Sequence, residues 1–290
     1  MRASSSPRDA ALLVIAVICV SASAPLIAAC AAPALAIAMY RCLLGAGLTV
    51  VAMVITGRSI RIEGGWSRAA MPGVALAAHF AAWIPSLRLT TVALSAAMIS
   101  TQPVWSALLA RVSGRLVWTG IGVSLLGVLI LTGWGDPLDS RNLLGMALAL
   151  LGAVLAAVYV AYGERLRATT DVGSYTSVVY GAAAAVLLVV CLVARVPLTG
   201  YAARDWLLIA AITLVAQIGG HSAMNAVVHR VSATVVSTAI LFEAPGATIL
   251  AAVFLGQPVG VALVAGLAVM LVGLVLVVRG TQPRTVESGV

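Results

Sequence analysis

The chain has 290 residues, of which 62% are hydrophobic and 9% charged, and its mean hydropathy is +1.12. A soluble domain carries roughly 25% charged residues, so this composition excludes a water-exposed surface and points to a bilayer. The net charge of +8 does not mark a nucleic-acid binder: all 17 basic residues are arginines set singly between apolar runs, with no cluster interleaved with aromatics.

A helix crossing about 30 Å of hydrocarbon needs roughly 20 apolar residues, and ten segments qualify. The first is 10–31, containing Pro25. Its "IAAC" before Cys30 resembles a lipoprotein cleavage site, but another apolar segment follows at once, so a retained helix is expected. The second, 34–57, holds Arg41. Three readings compete there: a side chain snorkelling to the headgroups, a partner for Glu243 across the cavity, or a group that packs helices together. The third, 69–87, carries His79 and Trp83, four apart and so on one helical face, where they can offer a ligand a ring to stack on and a titratable donor. The fourth, 91–110, has Gln102 and Pro103 at mid-depth. The fifth, 116–133, is the shortest.

The sixth segment, 142–163, has Tyr159 and Tyr162 near its inner end, where anchoring at the interface is the default reading. The seventh is 174–194. The eighth, 204–226, sets Gln217, His221 and Asn225 four apart, a polar stripe that reads as cavity lining or as interhelical hydrogen bonding. The ninth, 232–254, contains "STAILFEAPGATIL", in which Glu243 stands alone in apolar company two residues before Pro245. The tenth is 258–278.

Arginines set the orientation. Arg2, Arg8, Arg58, Arg61, Arg68, Arg111, Arg115, Arg165, Arg167, Arg230, Arg279 and Arg284 fall on the N-terminal side, and only Arg88, Arg141, Arg195 and Arg204 on the other. Both termini, the short tails 1–9 and 279–290, are therefore expected in the cytoplasm, and the protein in the plasma membrane.

Two halves emerge, 10–133 and 142–278. One constant offset pairs His79 with His221, Arg88 with Arg230, Ser95 with Ser237 and Pro103 with Pro245, and it aligns "RLTTVALSAAMISTQP" with "RVSATVVSTAILFEAP" without a gap. Further on, Gly120 and Gly127 match Gly266 and Gly273, small residues that let helices approach closely. Five spans per half is an odd number, so the halves face opposite ways. The expected fold is an all-α membrane protein with ten transmembrane helices in two inverted five-helix repeats, an architecture that holds solutes near the midplane.

"MYRCLL", "HFAAWIPSLRLTTVALS" and "SATVVSTAILFEAPGATILAAVFLGQ", in that order along ten spans, resemble the EamA-like family of the drug/metabolite transporter superfamily. The resemblance covers about residues 10–278. It implies a cavity lined by helices three, four, eight and nine together with one and six, and peripheral helices five and ten. It also implies alternating-access transport of small molecules, often outward. The chain departs from the family's frequent Glu-Pro pairs: Gln102-Pro103 and Glu243-Ala244-Pro245 stand in their places, and Gln257 ends the ninth helix where a glutamate is common. A coupling scheme that needs two carboxylates is therefore in doubt.

Glu243 is the one acid far from an interface. Insertion of a central carboxylate costs about 2.5–3.5 kcal/mol, and hydrocarbon disfavours its charged form. Glu243 is thus either a proton-coupling group or a neutral side chain bonded to the carbonyl that Pro245 frees. The expected solute-binding residues are His79, Trp83, Gln102, Gln217, His221, Asn225 and Glu243, with Pro25, Pro103 and Pro245 as hinges. Cys19, Cys30, Cys42 and Cys191 read as buried hydrophobes, and no metal, disulfide or cofactor is expected.

The function expected is a secondary active transporter, an exporter of amino acids, related amphipathic metabolites or drugs, possibly proton-coupled. A facilitative, uncoupled carrier is the alternative. An intramembrane enzyme is further off, since no H-E-x-x-H or G-x-S-x-G occurs. The partners expected are a small-molecule solute and the lipid bilayer; nucleic acid is not among them, and a homodimer is left open.

Overall fold

The computed structural model describes residues 6–112, 114–132, 139–256 and 261–281. Gln257 and most of both tails lie outside the described residues. The described residues are helical throughout, without strands: α1 (Pro7–Ala29), α2 (Ala34–Ile55), α3 (Trp66–Ser86), α4 (Val92–Leu109), α5 (Arg115–Thr132), α6 (Ser140–Leu166), α7 (Val172–Val193), α8 (Ala203–Val231), α9 (Ala233–Leu255) and α10 (Val261–Thr281). Seven of them, α1, α2, α4 and α6–α9, are long and apolar enough to cross a membrane. The chain is an integral, multi-pass membrane protein. Many large apolar side chains face outward, Ile55, Val193 and Phe254 among them, as a lipid-facing surface requires.

Local chemistry sets where the helices begin and break. Ser6 and Asp9 form a reciprocal capping box at the start of α1, and Asp139 and Asp171 cap α6 and α7 by accepting from Asn142 N and Ser174 N. Pro25, Pro103 and Pro245 each lack the N–H that would bond four residues back. Just before them α1 is interrupted at Ala22, α4 at Ser100–Thr101, and α9 tightens to a 3-10 turn at Ile240–Phe242. A break without a proline occurs in α8, where Ile212–Ser222 winds as a π-helix.

The helices pack in reciprocal pairs, α1 on α8 and α6 on α3, α2 on α7, and α5 on α10. The last pair is held at backbone distance by glycine: a Cβ at Gly120 would stand 2.6 Å from the Gly273 carbonyl oxygen, and one at Gly127 2.7 Å from that of Gly266. All four cysteines are free thiols.

Polar ties hold the ends. Arg230 makes an ion pair with Asp9 at 2.6 Å, joining α8 to α1. Arg88, its counterpart by sequence offset, reaches the Cys30 and Ala32 carbonyls at the other end of α1.

Candidate functional site

Six helices, α1, α3, α4, α6, α8 and α9, line a central pocket with a cavity volume of about 30 Å³. That is room for about one or two waters and far below the roughly 300 Å³ at which small-solute pockets begin, so a solute requires the helices to part. Its wall is mostly apolar, with His79, Trp83, Gln102, His221, Asn225 and Glu243 among the lining residues. Six of the seven solute-binding residues read from the sequence are thus brought to one place. Gln217 is the exception.

The third helix behaves as its spacing predicts. His79 and Trp83 stack with ring centroids 5.7 Å apart and planes 12° from parallel. Nδ1 of His79 donates to the Gly152 carbonyl of α6 at 2.8 Å, which fixes the ring. The indole N–H of Trp83 is buried without a partner among the described residues.

The two broken helices α4 and α9 meet at the cavity. Gln102 Nε2 donates to Ser237 Oγ at 3.0 Å, and Ser106 shares a 2.7 Å bond with the same hydroxyl. Glu243 is 7% exposed and opens the second half of α9. A helix N-terminus favours a negative charge, so the break supplies some of the compensation that lipid denies. The carboxyl makes no hydrogen bond among the described residues, and the Leu241 carbonyl freed by Pro245 is not its partner.

Three sequence expectations need correction. The stripe on α8 does not point one way. His221 and Asn225 line the cavity, while Gln217 turns aside and its Oε1 accepts from Arg41 Nε at 2.9 Å. The π-helical stretch that holds Gln217 and His221 departs from the α-helical spacing on which the stripe was read. Arg41 does not snorkel. It is fully buried, its guanidinium 4.1 Å over the Phe80 ring and Nη1 donating to Ser23 Oγ at 3.2 Å. Nor does it make an ion pair with Glu243 among the described residues, where Asp9 is the acid ion-paired with Arg230.

Tyr159, expected at the interface, lines the cavity instead. Its hydroxyl exchanges hydrogen bonds with the Asn225 amide, at 2.9 Å to Oδ1 and 2.6 Å from Nδ2, and its ring lies 6.2 Å from His221. Tyr162 stays half-buried beside Glu63 and Arg165 at a separate surface cleft. No sequence signal separates the two tyrosines except the face they occupy on α6.

Comparison with known proteins agrees with the resemblance. Residues 143–279 match the model of the EamA-like transporter family, so the second half of the chain is similar to that family. No curated protein matches the chain. A solved structure, titled only "Crystal structure of protein", is similar over 94% of this chain and 96% of its own, with a TM-score of 0.75 and 17% identity. At that identity the likeness is one of fold.

Proposed function

We propose, from the match of residues 143–279 to the EamA-like transporter family, that the protein is a secondary active carrier moving small amphipathic metabolites or drugs outward by alternating access. Residues 10–133 and 142–278 form two inverted repeats of five crossings each, with both termini in the cytoplasm of a plasma-membrane protein. The pairing of helices supports this. Exchanging each helix for the one five places along turns α1–α8 into α6–α3 and returns α2–α7 and α5–α10 to themselves, as a dyad in the membrane plane requires.

One observation carries the reading: the membrane-embedded acid, Glu243, lies in the wall of the six-helix cavity. A carboxyl that takes a proton on one side of the membrane and loses it on the other couples solute movement to the proton gradient. Gln102, at the corresponding depth in the first half, cannot titrate, so coupling rests on one carboxyl. His79, Trp83, Tyr159, His221 and Asn225 bind the solute, and Pro25, Pro103 and Pro245 mark hinges between open-in and open-out forms.

The test uses purified protein in liposomes, screened with amino acids, polyamines and lipophilic drugs for counterflow and for accumulation driven by a pH gradient. Glu243→Gln is expected to retain counterflow and to lose gradient-driven accumulation. Undiminished response of Glu243→Gln to the gradient would refute the coupling and leave the facilitative carrier.

A further inference from the structure

Arg41 has no part in that account, yet it sits one layer behind the cavity wall. Ser23, which accepts from Nη1, lines the cavity, and Phe80, under the guanidinium, is in edge contact with the cavity residue His221 at 5.4 Å between centroids. Two donors of this cluster are left over. Arg41 Nη2 and Gln217 Nε2 are both buried with no hydrogen-bond partner among the described residues, although the two side chains are tied to each other through Arg41 Nε. The nearby acid, Glu243, acts on Arg41 electrostatically but is not in ion-pair contact with it. Beyond Ser23, Phe80 and Gln217, the guanidinium has Cys42, two tyrosines (Tyr159, Tyr180) and two histidines (His79, His221) around it, none of them a carboxylate.

A buried cation without an ion-pair contact and two buried donors without acceptors are each costly. A single kind of group satisfies all three: an anion with two acceptor oxygens, matched to the forked end of a guanidinium. We propose that Arg41, Gln217 and Ser23 form an anion-recognising subsite of the central cavity that takes the carboxylate of the bound solute. The carboxylate enters past Ser23, whose hydroxyl releases Nη1, and receives N–H groups from Nη1, Nη2 and Gln217 Nε2. One cation suits one carboxylate; a phosphate ester would require more. The His79–Trp83 stack is left for the apolar remainder of the same solute.

The proposal rests on the cavity being the solute site, and its test is one of binding rather than transport. Matched acids and primary amides, phenylalanine with phenylalaninamide and benzoate with benzamide, are titrated against the full chain in nanodiscs, and affinity is read from thermal shifts. Wild type is expected to bind the acid of a pair about 10- to 100-fold more tightly than its amide. Arg41→Gln is expected to abolish that preference and leave amide affinity within about threefold. Should Arg41→Gln not fold, Arg41→Lys keeps the buried charge without the fork, and the preference must still drop about tenfold. Equal binding of acid and amide by wild type, binding of none of the acids, or an acid preference that survives substitution of Arg41 would each overturn the subsite. An Arg41-dependent acid preference in a protein that transports none of the probes upholds the subsite and sinks the carrier reading. Equal binding of acid and amide by a protein that transports either of them does the reverse.

Discussion

Gly120 and Gly122 lie two residues apart on α5 and face opposite ways, which makes them a controlled pair. Gly120 is buried against α10. A methyl group there would stand 2.6 Å from the Gly273 carbonyl oxygen and 2.7 Å from the Val277 amide nitrogen, against about 3.4 Å for ordinary contact. Both obstacles are backbone, so no side chain can turn away; the two helices must separate by most of an ångström along their glycine seam. Overpacking of this kind costs about 1–3 kcal/mol. At Gly122 the same methyl meets nothing within 4 Å. Replacing glycine by alanine within a helix also contributes up to about 1 kcal/mol of stabilisation from backbone entropy, and this contribution is common to both sites. It cancels in the comparison, so Gly120→Ala is expected to be less stable than Gly122→Ala by about 1–3 kcal/mol, with Gly122→Ala at or above wild type. Reversible unfolding in mixed micelles measures the difference. Equal stability of the two variants would mean that α5 and α10 do not pack through this seam.

Tyr159→Phe is expected to cost about 1–2 kcal/mol by leaving the buried Asn225 amide without its partner; in a double-mutant cycle Asn225→Leu should recover a large part of that loss, whereas additive losses would show that the two side chains are uncoupled. Pro103→Ala and Pro245→Ala are each expected to reach the membrane in normal amount, with slower solute counterflow, because restoring a backbone N–H closes the break it follows; unchanged counterflow in both variants removes the hinge role.

What was legible in the sequence follows from physics that acts within one helix. Four-residue spacing on an unbroken α3 stacked His79 on Trp83, and the cost of a lone carboxylate in lipid singled out Glu243. The prolines placed the breaks because a missing N–H acts four residues away. The rest depended on contacts between distant segments. Arg41 meets Ser23 and Gln217, 18 and 176 residues away along the chain, and without those partners snorkelling was a reasonable reading. The π-helical winding of α8 has no proline to announce it, and it separated Gln217 from a stripe drawn at α-helical spacing. Tyr159 depended on which side of α6 meets α8, a question of packing that no local pattern on α6 answers.

The distribution of irregular backbone bears on mechanism independently of the side chains. Of the six helices that line the cavity, α1, α4, α8 and α9 are interrupted, whereas α2, α5, α7 and α10, which do not line it, run unbroken. Lipid cannot satisfy freed N–H and C=O groups, so a broken helix is tolerated at membrane depth where protein or a wet cavity covers it. The breaks also bring Gln102 and Glu243 to the first position of the half-helices that follow, where the unpaired amides favour acceptors and negative charge. The same interruptions that loosen α4 and α9 therefore orient the polar groups the cavity needs. A rearrangement that straightened either helix would alter both the shape of the cavity and the environment of Glu243 at once, which is the physical link a proton-coupled carrier requires between solute access and protonation.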